Sequence, residues 1–370
     1  MKNLWMVLPP LLADNFGMIE ALRHSDGCGV IDDSGDFRLS ANRHEGPDTR
    51  VVVSAADNTD VITGTKKKLL ERAEEITDRY RPAFLLFSAG PCGAMIGTDL
   101  GEAAEEFQNA SGIPCGAVEL TGQKTYDVGI SKTLEAMGKL LAEEAEPEPG
   151  GVNLLGGTRL DWSEADLADV RRWIEGKGYH VIAQPGTEVR ADELRRMARA
   201  ERNVAVTVSG LALARYLEKT FGTPYTAFAP FGGHACEAFP QAVESAAGER
   251  ALMTLIVSEQ LTGNAVRRVL EEFCPGETAR VCTFYQLDKR TARAGDRRLQ
   301  GEADIRELLA SGEFKRVIAD PMLRRFAPPG AAWIDLPHRA LHTYGDCEML
   351  SLLGSKCDEW LKNSLEGELS

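Results

Sequence analysis

Apolar runs recur along the chain, and amphipathic stretches separate them. VVVSAA, AFLLFSA and PCGAVEL in the first third read as strands. Between the first two, TKKKLLERAEEITDRYR spaces its Leu, Ala and Ile positions along one side, which predicts a helix with one buried face. Pro82 directly after it marks the turn into the next strand.

The acidic, Pro- and Gly-rich segment EEAEPEPGG at 143–151 reads as a linker. Beyond it GVNLLGG is a strand with a glycine turn, and SEADLADVRRWIEGKG a helix with Ser163 as N-cap and acidic residues in its first turn. HVIAQPG, DELRRMARAERN, VAVTVSG and LALARYLEKTFG follow as strand, helix, strand and a helix ending at Gly222. ALMTLIVSEQ, LTGNAVRRVLEEF, ARVCTFYQL, ADIRELLASG and KRVIADP then continue the alternation. Such alternation with short turns predicts parallel sheets covered by helices. The expected fold class is α/β, with three doubly wound α/β domains at 1–148, 149–247 and 248–370, the last carrying a C-terminal helix. In these folds chemistry sits on loops at the carboxyl ends of strands and in crevices between domains.

Composition narrows the function classes. A net charge of −14 argues against a nucleic-acid binder, because phosphate contacts need a basic surface. The basic stretches RRWIEGK and ELRRMARAERN read as solvated helix faces. No apolar run is long enough to span a bilayer, and the N-terminus lacks the features of a signal peptide, so no membrane and a cytoplasmic location are expected. In that reducing compartment disulfides are not expected, and each cysteine is a small buried residue, a reactive group or a metal ligand. No HExxH, zinc-finger spacing, GxxxxGK[ST], GxGxxG after the first strand or GxSxG occurs. ATP-linked work would therefore fall to a partner.

Two cysteines stand out by context. Cys28 lies in the turn RHSDGCG, and Cys92 in SAGPCGAMIGTDL directly after the strand AFLLFS. Gly27, Gly29, Gly93 and Gly97 flank them, so backbone N–H groups can approach an anionic sulfur cluster closely. A loop cysteine of this kind is also compatible with a plain structural role. Cys115, close in sequence to the Cys92 loop, is either a plain structural residue, the favoured reading, or a spare or substitute ligand. Cys236 and His234 in GGHACEAF either face a crevice or fall there by chance, and His24 either bonds near a cluster or caps a turn. His338 and His342 in DLPHRALHTYGD share a face only if that segment is helical. Cys274, Cys282, Cys347 and Cys357 are expected to be structural.

The order of segments resembles the nitrogenase component 1 family, which includes nitrogenase catalytic subunits, a cofactor-assembly scaffold and dark-operative protochlorophyllide reductase. HSDGC looks like the family's HGxxGC turn shortened by one residue, and DVITGTKKKLLERAEEITDRYRPAFLLFSAGPCGAMIGTDL is similar to its long first-domain signature. IPCGAVELTG, GVNLLGG, RYLEKTFGTPYTAFAPFG and ALMTLIVSEQLTGNAVRRVL are similar to its later elements, so the resemblance runs over nearly the whole chain.

The resemblance implies an iron–sulfur reductase subunit that accepts electrons from an ATP-dependent, nitrogenase-reductase-like iron protein. It would pass them to a bound small molecule such as a tetrapyrrole; the alternative is a metallocluster or cofactor assembly scaffold without turnover. Cys28 and Cys92 become the implied metal ligands of a [4Fe–4S] cluster shared across a dimer interface, in a homodimer or with a paralogous subunit. No cysteine precedes Cys28, where many members have one, and Val206 falls near the family's cofactor-binding cysteine. A simple [4Fe–4S] centre is therefore expected, not the larger nitrogenase-type clusters.

Overall fold

Three parallel sheets, each packed between helices, form the described part of this computed structural model, residues 5–35, 50–240, 251–342 and 347–367. The first is built from α1 (Asp14–Leu22), the two-residue β1 (His24–Ser25), β2 (Cys28–Asp32), β3 (Val51–Val53), α2 (Asn58–Thr63), α3 (Lys66–Tyr80) and β4 (Leu85–Ala89). The helices α4 (Pro91–Ile96) and α5 (Leu100–Ser111), β5 (Cys115–Val118) and α6 (Tyr126–Leu141) complete it. Its order is β3-β2-β4-β5. β4 is buried at all five positions, as expected for a strand covered on both faces. α3 buries Leu69, Ala73 and Ile76 against that sheet, a stripe at helical spacing in which Leu and Ile each contribute about 1.5–3 kcal/mol.

The second sheet, β10-β9-β6-β7, comes from β6 (Glu148–Leu155), α7 (Glu164–Glu175), β7 (His180–Ala183), β8 (Glu188–Val189), α8 (Ala191–Arg195), β9 (Ala200–Ala205), α9 (Leu211–Phe221) and β10 (Tyr225–Ala227). Ser163 caps α7 by accepting from Asp166 N, and α9 ends at a left-handed Gly222, both as the sequence predicts. Two expectations need correction. The supposed linker is half strand, because β6 begins at Glu148 and pairs with Ala200. The helix expected through Asn203 stops at Arg195, and AERN starts β9, where pairing with β6 buries Ala200 and Val204.

The third sheet, β13-β12-β11-β14-β15, follows a short α10 (Gly233–Ala238). It comprises β11 (Ala251–Val257), α11 (Gln260–Phe273), β12 (Glu277–Thr283), β13 (Arg297–Arg298), α12 (Glu302–Ala310), β14 (Arg316–Ala319) and β15 (Ala332–Asp335), and α13 (Lys356–Gly367) packs on α11.

The three units are tied together. β1 pairs with β8 of the second unit, and Glu302 on α12 accepts from the backbone N–H groups of Met6, Val7 and Leu8. α1 and α6 cross at glycines: a Cβ on Gly17 would lie 2.0 Å from Tyr126 O, and one on Gly129 would lie 1.8 Å from Asp14 O. Only hydrogen fits there, and the crossing fixes the first turn of α6. Each sheet has a topological switch point, between β2 and β4, β6 and β9, and β11 and β14, and in such folds ligands bind outside the carboxyl ends at that point.

Candidate functional site

The two sequence-predicted cysteines are not brought together. β2 pairs in register with β4 from Cys28–Leu85 to Asp32–Ala89, so Cys28 is at the amino end of the sheet and Cys92, three residues past Ala89, beyond its carboxyl end. At about 3.3 Å per residue, roughly 13 Å of strand lies between them. Cys28 is fully buried in an apolar cluster with Val30, Leu69, Phe87, Phe107 and Cys115. Burial pushes the thiols of Cys28 and Cys115 up to about 12, and the β4–β5 register sets Cys115 beside Leu85 at the same amino end as Cys28. Cys28 and Cys92 of one chain therefore do not fit a common cluster, and Cys115 is no substitute. The family-like HSDGC turn precedes its strand, whereas the chemistry-bearing loop follows it.

Beyond β2 the chain presents carboxylates instead of a second thiol. Asp32 accepts from Ser54 Oγ at 3.1 Å and Thr65 Oγ1 at 2.5 Å, and Asp33 Oδ2 accepts from Cys92 N at 3.2 Å. Burial, then Asp33 and Asp32, raises the pKa of the half-buried Cys92. The flanking glycines serve packing: a Cβ on Gly27 would meet the Phe84 ring, one on Gly29 Met18, and one on Gly93 the Asp32 carbonyl. Gly97 is the left-handed cap that ends α4.

The carboxyl ends of the second and third sheets converge with the start of α6 on a buried polar network. The His338 ring, on the loop after β15, lies 3.2 Å from Tyr285 Oη through Nδ1 and 3.4 Å from both Tyr126 Oη and Asp161 Oδ1 through Nε2. Tyr126 also donates to Asp161, which accepts from Thr158 Oγ1 at 3.2 Å. Asp320, after β14, accepts from His338 N at 2.7 Å and lies 2.9 Å from His342 Nε2. Asp320, His342 and Cys347 offer an oxygen, a nitrogen and a sulfur within 4.8 Å of one another, a donor set suited to a borderline transition metal. His342 and Cys347 are half-buried, so the network reaches towards the surface there. Trp162 Nε1 and Gln286 Nε2, next in sequence to Asp161 and Tyr285, are buried donors with no partner among the described residues.

Electrostatics favour stored protons in this network. Burial, then Asp161, holds both tyrosines well above their ordinary range. Asp127 is raised chiefly by burial. Glu259, which caps α11 and accepts from Val208 N at 2.9 Å, is fully buried, and burial and Asp161 raise it to about 7. The folded chain thus holds a proton on Glu259 that the unfolded chain releases near 4.5, so this residue subtracts stability as pH rises from 4.5 to 7. Glu259→Gln is expected to flatten that part of the thermal-midpoint profile, and an unchanged slope would remove Glu259 as its source.

Sequence reasoning favours a bland reading of His338 and His342, because their place in the network depends on a loop, not on helical spacing. It missed Tyr126, Asp161, Glu259 and Asp320, whose signal is position just past a strand or at a helix start. His24 is an exposed β1 residue, and His234 is exposed beside Glu237. The Cys236 side chain lies outside the described residues. Val206 is buried and offers no donor, and the Thr207 hydroxyl bonds Gly156 O. Cys282 and Cys357 are buried and Cys274 half-buried, and Cys347, expected to be structural, lies near Asp320 and His342.

The family model described as nitrogenase component 1 type oxidoreductase matches residues 24–277. The chain is 30% identical over 173 residues to the nitrogenase iron–molybdenum cofactor biosynthesis protein NifE of Nostoc, covering 45% of this chain and 35% of that protein. It is 27% identical over 198 residues to a subunit of the light-independent protochlorophyllide reductase of a Methylobacterium, covering 51% of this chain and 38% of that subunit. These matches span well under half the length of either relative. A solved structure described as nitrogenase Cp1 at pH 6.5 superposes with a TM-score of 0.75 at 14% identity, over 100% of this chain and 95% of that one, which shows the fold. Among the described residues no helix is long and apolar enough to cross a membrane.

Proposed function

Because the chain belongs to the nitrogenase component 1 type oxidoreductase family, we propose that it is a reductase subunit acting where its second and third sheets meet the start of α6. Electrons come from an ATP-dependent iron protein of the nitrogenase-reductase type, and the acceptor is a small molecule such as a tetrapyrrole. The observation that carries this reading is the His338 ring, which links Tyr126, Asp161 and Tyr285 in one buried network. Reduction of a bound molecule consumes protons as well as electrons, and such a network holds and moves them without admitting water. Trp162 Nε1 and Gln286 Nε2 add two buried donors with no partner among the described residues.

Family membership implies an iron–sulfur metallocluster, and its placement here rests on Cys92. A [4Fe–4S] centre shared across a dimer interface would draw one thiol of this kind from each copy, which favours a paralogous partner supplying the remaining ligands over a homodimer. The edge that carries Cys92 suits an interface, since Ile62 on α2 and Met95 on α4 are 85% and 86% exposed. Thr65 and Thr98, just past those helices, bond at 2.6 Å.

A second reading, a metallocluster scaffold without turnover, is favoured by the converging donors of Asp320, His342 and Cys347 and by the likeness to NifE. One anaerobic experiment separates them: iron content and ATP-dependent substrate reduction of the chain purified with its partner subunit and assayed with the iron protein. The reductase reading expects turnover, and iron lost in Cys92→Ala but kept in Cys28→Ala. Iron that is transferred to an acceptor protein without turnover, and is lost in His342→Ala, would overturn it in favour of the scaffold. Iron kept in Cys92→Ala would overturn the cluster placement.

A further inference from the structure

A cleft of about 1050 Å³ separates the first and second units, and neither His338 nor its partners Tyr126, Asp161 and Tyr285 line it. It lies at the amino end of the first sheet, beside His24 and Arg50, and beyond the carboxyl end of β7, beside Gln184 and Thr187. Its size is ample for a small organic ligand. Tyr80, Leu167 and Ala168 give it apolar wall, and Arg50 lies over the Tyr80 ring at 5.9 Å.

The charge of this cleft opposes that of the chain. Arg23, Arg50, Arg159, Arg171 and Arg190 line it, in a protein of net charge −14. Four carboxylates line it too, but their commitments differ. Glu164 pairs at 3.0 Å with Arg339, which lies outside the cleft. Glu193 bonds Arg171 Nη2 at 3.3 Å and the backbone of Arg190 at 3.1 Å. Glu20 is shared by two guanidiniums, Arg159 at 2.8 Å through both Nε and Nη2, and Arg23 at 2.7 Å and 3.3 Å. One buried carboxylate therefore holds two arginines rigid, and that trio keeps a net positive charge. Among the described lining residues, Glu188 is the carboxylate left to stand against Arg50 and Arg190.

We propose that this cleft binds a small molecule carrying at least two anionic oxygen groups, carboxylate or phosphate. Guanidinium forks recognise both groups by paired N–H bonds, and fixed forks lose little entropy on binding. Arg50 and Arg190 stand on opposite units, so one multiply charged ligand would join them.

The test is calorimetric titration of the full chain at low salt with citrate and with inorganic pyrophosphate. One-to-one binding of at least one is expected, with Kd below about 1 mM, weakening as salt rises. Arg50→Gln/Arg190→Gln is expected to weaken it by at least about tenfold. Preference for citrate assigns a carboxylate ligand, and preference for pyrophosphate a phosphate ligand. No saturable binding of either, or a loss under about threefold in the variant, would overturn the assignment. Should the double variant fail to fold, Arg190→Gln alone carries the test, since Arg190 is an exposed residue.

Discussion

A His338→Gln protein is expected to keep its fold and lose its turnover, with kcat down by about two to four orders of magnitude. The imidazole joins three other groups of the network, Tyr126 and Asp161 through Nε2 and Tyr285 through Nδ1. Glutamine can replace one of those contacts, not all three. Tyr285→Phe and Tyr126→Phe each remove one hydroxyl and leave the ring in place, so they should cost less than the histidine change. A structural role alone would lower the thermal midpoint and kcat together and leave the pH–rate profile with its shape. A proton-delivery role lowers kcat at an unchanged midpoint and shifts the profile. If His338→Gln turns over at the wild-type rate with the iron protein and ATP, the junction is not where protons are supplied.

Much of the fold was legible in the sequence because its elements are locally consistent. β4 and α3 have the burial that their apolar runs announce, and Ser163 and Gly222 end helices by capping physics that acts within a few residues. AERN was not legible as strand, since its polar composition suits an exposed helix and only pairing with β6 decides otherwise. The site was less legible still. A cysteine flanked by glycines looks alike at either end of a strand, and the register of β2 on β4, a long-range fact, is what separates Cys28 from Cys92. Tyr126, Asp161 and Asp320 carry no motif. They matter because the second and third sheets point their carboxyl ends at one place, and the Gly17–Gly129 crossing sets Tyr126 at the start of α6 there.

Glu20→Ala is expected to give the largest loss of stability, about 3–5 kcal/mol by chemical denaturation. The carboxylate is 5% exposed and is the counter-charge of both Arg23 and Arg159, so its removal leaves two guanidiniums facing each other at the join between the first and second units. The cost comes from losing that shared counter-charge, not from the strength of the pairs in isolation. Replacing Glu20, Arg23 and Arg159 together by apolar residues of similar volume should accordingly recover most of the loss, which a simple count of broken hydrogen bonds would not allow. The pH dependence has a definite sign. Burial works to raise Glu20, but its bonds to Arg159 and Arg23 outweigh that and hold it below its ordinary 4.5. Its contribution is therefore complete above pH 4.5 and is lost as pH falls through the lower folded value. Glu20→Gln should lower stability at neutral pH while flattening the acid limb below 4.5. An acid limb as steep as that of the wild type would mean that another carboxylate dominates acid unfolding and that the join between the units does not depend on this charge.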